Sequence, residues 1–158
     1  MLIFGHRGAP GYPRRAENTC ASFRKALRSG ASGLEFDVRR CGDGRLVVLH
    51  DETIDRTTNG RGRVRSLNYA NLRKYDAGFG SPVPLLADVL DEFGARCLLN
   101  IELKENGIAE DVKTRPGTPA RKARHPLLFR MARTRARCSG NPDRPVELQA
   151  RESHIGRG

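Results

Sequence analysis

The sequence predicts an α/β fold from three observations. Apolar runs of strand length recur through the first two thirds of the chain. Between them stand segments with helical spacing and glycine stops, and polar residues gather where the apolar runs end. At 158 residues the chain has the length of one ordinary domain, and its 37% apolar residues with 17 glycines exclude wholesale disorder.

The first element is Leu2-Ile3-Phe4, an apolar run ended by Gly5-His6-Arg7-Gly8, which reads as a strand entering a glycine-bounded loop. Asn18 or Thr19 caps a helix whose apolar positions Ala21, Phe23, Ala26 and Leu27 form one buried face, with Gly30 as its stop. Gly33-Leu34-Glu35-Phe36-Asp37-Val38 alternates strictly: Leu34, Phe36 and Val38 face one way, Glu35 and Asp37 the other. Gly42-Asp43-Gly44 is a tight-turn signal before the strand Leu46-Val47-Val48-Leu49, which ends at His50-Asp51. A two-residue turn at Asp43-Gly44 would pair Asp37 with His50 and put that histidine beside both carboxylates.

Residues 51–84 are polar and turn-rich, with a weak helical segment near Asn68 to Tyr75, and read as a long functional or covering loop. Leu85 to Gly94 has helical spacing with a glycine stop. Cys97 to Lys104 is again a strand, with Glu102 and Lys104 on one face and Ile101 and Leu103 on the other. After about residue 112 the pattern fades, leaving one short apolar stretch, Leu127 to Met131, and no evident further strand.

Charge divides the chain at the same place. The net charge is +11, of which residues 1–112 carry +2 and residues 113–158 carry +9, together with five of the nine prolines. The expected organisation is a folded domain over 1–112 and a basic, Arg/Pro-rich, disordered tail over 113–158. No run approaches the ~18 apolar residues of a membrane span and no signal peptide is evident, so the expectation is a soluble, cytoplasmic protein. Cys20, Cys41, Cys97 and Cys138 lack zinc or redox spacing and read as reduced thiols.

Three carboxylates, Glu35, Asp37 and Glu102, stand on two strands where a core would demand apolar side chains. Burying them uncompensated costs several kcal/mol each. A cation is the economical explanation, and all-oxygen donors favour Mg²⁺ or Ca²⁺ over zinc. The alternative is that they face solvent on an amphipathic sheet. His6 and His50 follow strands and suit a division of general base and general acid at neutral pH, although single histidines there are more often turn residues. Arg7 and Lys104 supply positive charge suited to a phosphate oxygen.

The ordered series His6-Arg7-Gly8, Glu17-Asn18-Thr19, Glu35-Phe36-Asp37-Val38, Asp43-Gly44, Val47-Val48-Leu49-His50-Asp51, Arg56-Thr57-Thr58, Val83-Pro84-Leu85-Leu86 and Leu99-Asn100-Ile101-Glu102-Leu103-Lys104 resembles the glycerophosphodiester phosphodiesterases over roughly residues 3–112. The resemblance implies a (β/α)₈ TIM-type barrel related to phosphatidylinositol-specific phospholipase C, with its site at the C-terminal ends of the strands. Such a barrel needs about 250 residues, so this chain is expected to hold about the first half.

By resemblance Glu35, Asp37 and Glu102 bind a divalent cation, His6 and His50 are the acid/base pair, Arg7 and Lys104 contact phosphate, and Glu17 supports the site. The implied reaction, part of glycerophospholipid metabolism, hydrolyses a small-molecule glycerophosphodiester to glycerol 3-phosphate and an alcohol. Self-association through open barrel edges is a further expectation. The alternatives are an inactive remnant of that enzyme, or a nucleic-acid or anionic-membrane binder through the basic tail. The tail has one aromatic residue, Phe129, so no specific nucleic-acid partner is expected.

Overall fold

A computed structural model describes residues 1–11, 16–114 and 127–131 of the chain. Its elements run β1 (Phe4–His6), α1 (Cys20–Arg28), β2 (Gly33–Arg40), β3 (Leu46–Val48), a 3₁₀ turn (Val64–Ser66), α2 (Tyr69–Leu72), α3 (Leu86–Phe93), β4 (Leu98–Leu103), α4 (Ile108–Thr114) and β5 (Leu127–Met131). The sheet order is β1-β2-β4-β5, parallel throughout, with β3 antiparallel to β2 off that path. Parallel neighbours in chain order, joined by connections that contain helices, are the repeating unit of a β/α barrel.

α1 starts where its cap places it. The Thr19 side chain accepts a hydrogen bond from Ser22 N at 3.2 Å while Ser22 Oγ accepts from Thr19 N at 3.3 Å, a reciprocal box worth about 1 kcal/mol. Of the two candidate caps, Thr19 takes the role and Asn18 does not. Phe23 and Ala26 of α1 and Leu86, Val89, Leu90 and Phe93 of α3 pack on Leu34, Phe36 and Val38 of β2 and Leu99, Ile101 and Leu103 of β4. The Phe23 ring meets Phe36 at 5.4 Å and Phe93 at 5.7 Å between centroids. With this face filled by aliphatic and aromatic side chains, period-2 alternation sends Glu35, Asp37, Asn100 and Glu102 to the other.

The hairpin register differs from the two-residue-turn reading by one position. Val38 pairs with Val48 and Arg40 with Leu46, so Asp37 lies opposite Leu49, whose N–H donates to the Asp37 carbonyl at 3.0 Å. The turn holds three residues, with Gly44 at φ 81° closing it in the left-handed region. Asp43 fixes this loop by accepting from Tyr69 N at 3.1 Å. A slip of one residue exchanges the faces of a strand, and His50 is therefore not the cross-strand neighbour of Asp37.

Three further expectations shift. β1 is Phe4–His6 rather than the run from Leu2, which with Ile3 is exposed, so His6 ends the strand instead of following it. Residues 51–84 are more than a loop: Ile54, Val64, Tyr69, Leu72 and Val83 form a second core with Cys41, Val47 and Leu49 beneath the hairpin. β3 buries both faces, Leu46 and Val48 toward one core and Val47 toward the other. Finally, Leu127–Met131 is a strand, paired in parallel with β4 from Leu99↔Leu127 to Leu103↔Met131. The rest of the basic segment, 115–126 and 132–158, and the disorder expected of it lie outside the described residues. Among the described residues no helix is long and apolar enough to cross a membrane, and Cys20, Cys41 and Cys97 are free thiols.

Candidate active site

β2 and β4 run side by side with Asp37 directly paired to Glu102 and Glu35 to Asn100. Carboxylate oxygens of Glu35, Asp37 and Glu102 consequently lie within 4.8 Å of one another. The solvent-facing alternative fails on burial, since Glu35 is 7% and Asp37 1% exposed. Burial, reinforced by the charges of Asp37 and Glu102, pushes the Glu35 carboxyl above its usual range. Crowded oxygens with excess negative charge and no thiolate or imidazole among them fit a hard divalent cation.

Two cations of the chain brace this cluster. Lys104 Nζ lies 2.9 Å from Asp37 Oδ1 and 2.7 Å from Glu102 Oε1. Arg7 puts Nε 3.3 Å from Asp37 Oδ2 and NH1 3.0 Å from Glu17 Oε1, while its backbone N–H donates to the Glu35 carbonyl at 2.8 Å. The two residues assigned by sequence to phosphate thus also neutralise the carboxylate cluster. Arg7 holds φ 55° and Asn18 φ 57°, two of the three non-glycine left-handed residues among those described; such strain gathers at functional sites.

The sequence-derived histidines take different stations. His6, largely exposed, places Nε2 3.7 Å from Glu35 Oε2. His50 Nδ1 is 2.6 Å from Asp51 Oδ1, and its carbonyl accepts from Arg39 Nε at 2.8 Å. Its neighbours across a small cavity are Glu17, Asn18 and Thr57. An imidazole whose Nδ1 is engaged by a carboxylate keeps Nε2 for proton transfer.

Three supporting residues escaped the reading of single side chains. Asn18 Nδ2 donates to Asp37 Oδ2 at 3.0 Å, orienting that carboxylate. Arg56 grips Asp51 through Nε at 2.6 Å and Glu17 through NH2 at 2.7 Å. A continuous chain of charged contacts therefore runs His50–Asp51–Arg56–Glu17–Arg7–Asp37. Arg56 is the first cause that holds the Asp51 carboxyl down to about 2, His50 adding to it, while burial opposes the shift. Glu17 is lowered as well, with Arg56 and Arg7 outweighing the burial that would raise it. The signal for these residues lay in the motif series, where Asn18, Asp51 and Arg56 appear without a role.

A family model described as the glycerophosphoryl diester phosphodiesterase family matches residues 6–146, extending the likeness past residue 112. Among curated proteins, the glycerophosphodiester phosphodiesterase of Caldanaerobacter subterraneus subsp. tengcongensis is 43% identical over 112 residues, covering 65% of this chain and 45% of that protein. That of Bacillus altitudinis is 44% identical over 126 residues, covering 70% and 50%. Among solved structures, the glycerophosphodiester phosphodiesterase from Agrobacterium tumefaciens superposes with a TM-score of 0.71 at 35% identity, over 83% of this chain and 58% of that one. An Oleispira antarctica phosphodiesterase in complex with the product sn-glycerol-3-phosphate gives a TM-score of 0.68 at 29% identity, over 83% and 57%. The chain spans about half the length of the curated relatives it matches.

Proposed function

The chain belongs to the glycerophosphoryl diester phosphodiesterase family, and from that premise we propose that it hydrolyses glycerophosphodiesters to glycerol 3-phosphate and a free alcohol in a divalent-cation-dependent reaction. The observation that carries the proposal is the convergence of Glu35, Asp37 and Glu102 within 4.8 Å on the sheet face that also presents His6 to Glu35. Glu35, Asp37 and Glu102 would hold Mg²⁺ or Ca²⁺, which when bound supplies Lewis acidity toward a phosphoryl oxygen.

The chain's own groups divide the remaining work. Arg7 and Lys104 stabilise the negative charge that builds on the phosphoryl oxygens. His6 takes a proton from the attacking water as its oxygen bonds to phosphorus. The phosphorus–oxygen bond to the alcohol breaks, and His50 Nε2 gives that oxygen its proton. Asp51 supports the assignment of His50 as acid, because its carboxylate engages Nδ1 and leaves Nε2 for the departing oxygen. Arg56 and Glu17 hold Asp51 and Arg7 in register with one another.

The test is release of glycerol 3-phosphate from glycerophosphocholine with Mg²⁺, Ca²⁺ or EDTA, with His50→Ala as the control for contaminating activity. Turnover that needs a divalent ion and disappears in His50→Ala supports the proposal. Absence of turnover under every condition, with glycerophosphocholine, glycerophosphoethanolamine and glycerophosphoinositol 4-phosphate alike, refutes it for this chain and leaves family descent without activity. Self-association belongs to the same proposal: among the described residues β1 and β5 each pair on one side only, and sedimentation of the active species reads the stoichiometry.

A further inference from the structure

The carboxylate face changes sign toward the C-terminal ends of its strands. On β2 the alternation Glu35, Asp37, Arg39 ends in a cation, and after β4 Glu102 is followed on the same face by Lys104, whose N–H extends the ladder to the Val38 carbonyl at 3.1 Å. Arg39 and Lys104 border a cavity of about 270 Å³ completed by Arg63 and Arg65 of the 3₁₀ turn region and by Glu52 and Glu105. Three of these side chains are held nearly buried: Arg39 at 12%, Lys104 at 11% and Glu105 at 10% exposure. Glu105 is neutralised from both sides, 3.6 Å from Arg39 and 2.7 Å from Arg65. Arg63 is exposed and its guanidinium has no partner among the described residues.

We propose that this cavity is the subsite for the alcohol arm of the diester, and that it takes an anionic head group, a phosphorylated polyol, rather than a quaternary ammonium. The inference rests on the reading that Glu35, Asp37 and Glu102 hold the cation at the reacting phosphate, since Lys104 is shared between that cluster and the cavity wall. Among the described lining residues four cations stand against two carboxylates, a net positive charge whose field low-dielectric walls focus. Guanidinium groups match phosphate oxygens in a bidentate fork. Quaternary ammonium groups are recognised by aromatic faces, and no aromatic residue is among the described residues that line the cavity. The volume is below the ~300–1,000 Å³ of pockets for drug-sized ligands, which suits one head group.

The experiment titrates the whole chain with inositol 4-phosphate by calorimetry, with and without EDTA, using phosphocholine as the control ligand. Arg63→Glu and Arg63→Lys are compared with wild type; the side chain is exposed, so both should keep the wild-type melting temperature. Binding of inositol 4-phosphate that persists in EDTA, exceeds that of phosphocholine, and falls at least tenfold in Arg63→Glu while Arg63→Lys retains most of it supports the subsite. Binding that requires the divalent ion, or that ignores Arg63→Glu, places the anion at the carboxylate cluster or on the basic segment and overturns it; so does absence of binding. Hydrolysis of glycerophosphoinositol 4-phosphate and glycerophosphocholine by the same proteins separates the two readings. Arg63-dependent binding without turnover of either diester defeats the hydrolytic reading and leaves the anion site standing. Turnover with a kcat/KM ratio that Arg63→Glu leaves unchanged defeats the subsite alone.

Discussion

Arg56→Ala tests whether the charged chain from His50 to Arg7 holds the site together. Arg56 donates to four carboxylate oxygens: Asp51 Oδ2 at 2.6 Å, Asp51 Oδ1 at 3.0 Å, Glu17 Oε2 at 3.0 Å and Glu17 Oε1 at 2.7 Å. Hydrogen bonds to charged groups are worth about 1.5–3 kcal/mol each in net terms, but Arg56 is 44% exposed, so water replaces much of the Asp51 half. The Glu17 half is not replaced in this way, because Glu17 is 6% exposed and among the described residues would keep only Arg7. The expected loss is about 2–4 kcal/mol at pH 7, read by urea unfolding.

The pH dependence gives a second readout. Asp51 titrates at about 2 in the fold against an ordinary 3.8. A carboxyl depressed in this way stabilises the fold fully above its unfolded pKa and loses that contribution as pH falls through its folded pKa. At about 1.4 kcal/mol per pH unit the ceiling is roughly 2.5 kcal/mol, reduced by solvent screening to about 1 kcal/mol. Glu17, also lowered, acts in the same direction. The gap between wild type and Arg56→Ala should therefore be widest at pH 7 and shrink between pH 4 and pH 2. A gap under about 0.5 kcal/mol that is flat with pH would refute the reasoning, since it would show four short contacts contributing no stability.

Other expectations follow from single features. Glu35 has a raised carboxyl pKa, so its ionisation disfavours the fold at high pH; Glu35→Gln should melt at or above wild type in EDTA, yet lack the upward shift that the proposed binding of Mg²⁺ or Ca²⁺ would give wild type, about 2.7 kcal/mol at a hundredfold excess over Kd. Gly8→Ala should cost about 2–4 kcal/mol by chemical denaturation, because Gly8 sits at φ 85° and an added Cβ would meet the Ser22 backbone carbon at 2.7 Å. Gly44→Ala, at φ 81° but with open space around it, should cost only about 1 kcal/mol. Phe93→Ala empties a fully buried ring position against Phe23 and should cost about 3–5 kcal/mol in the same assay.

What the sequence revealed and what it hid divide by the range of the interactions concerned. The capped helix and the two-faced strands were legible because their signals are local: a cap beside an amphipathic run at Thr19, a period of two through Glu35 and Asp37. Arg56 was hidden because its partner Glu17 is 39 residues away, and β5 because its pairing with β4 is set across the α4 connection, with only the apolar stretch Leu127 to Met131 to mark it. The hairpin register was hidden for the same reason, since the three-residue turn is held by Tyr69, 26 residues from Asp43. That one-residue difference bears on the chemistry. Opposite Asp37 stands Leu49, not His50, and the His50 imidazole is engaged by Asp51 rather than by the carboxylates proposed to hold the cation. An imidazole opposite Asp37 would stand among the carboxylates proposed to hold the cation. One engaged at Nδ1 by Asp51 keeps Nε2 for proton transfer.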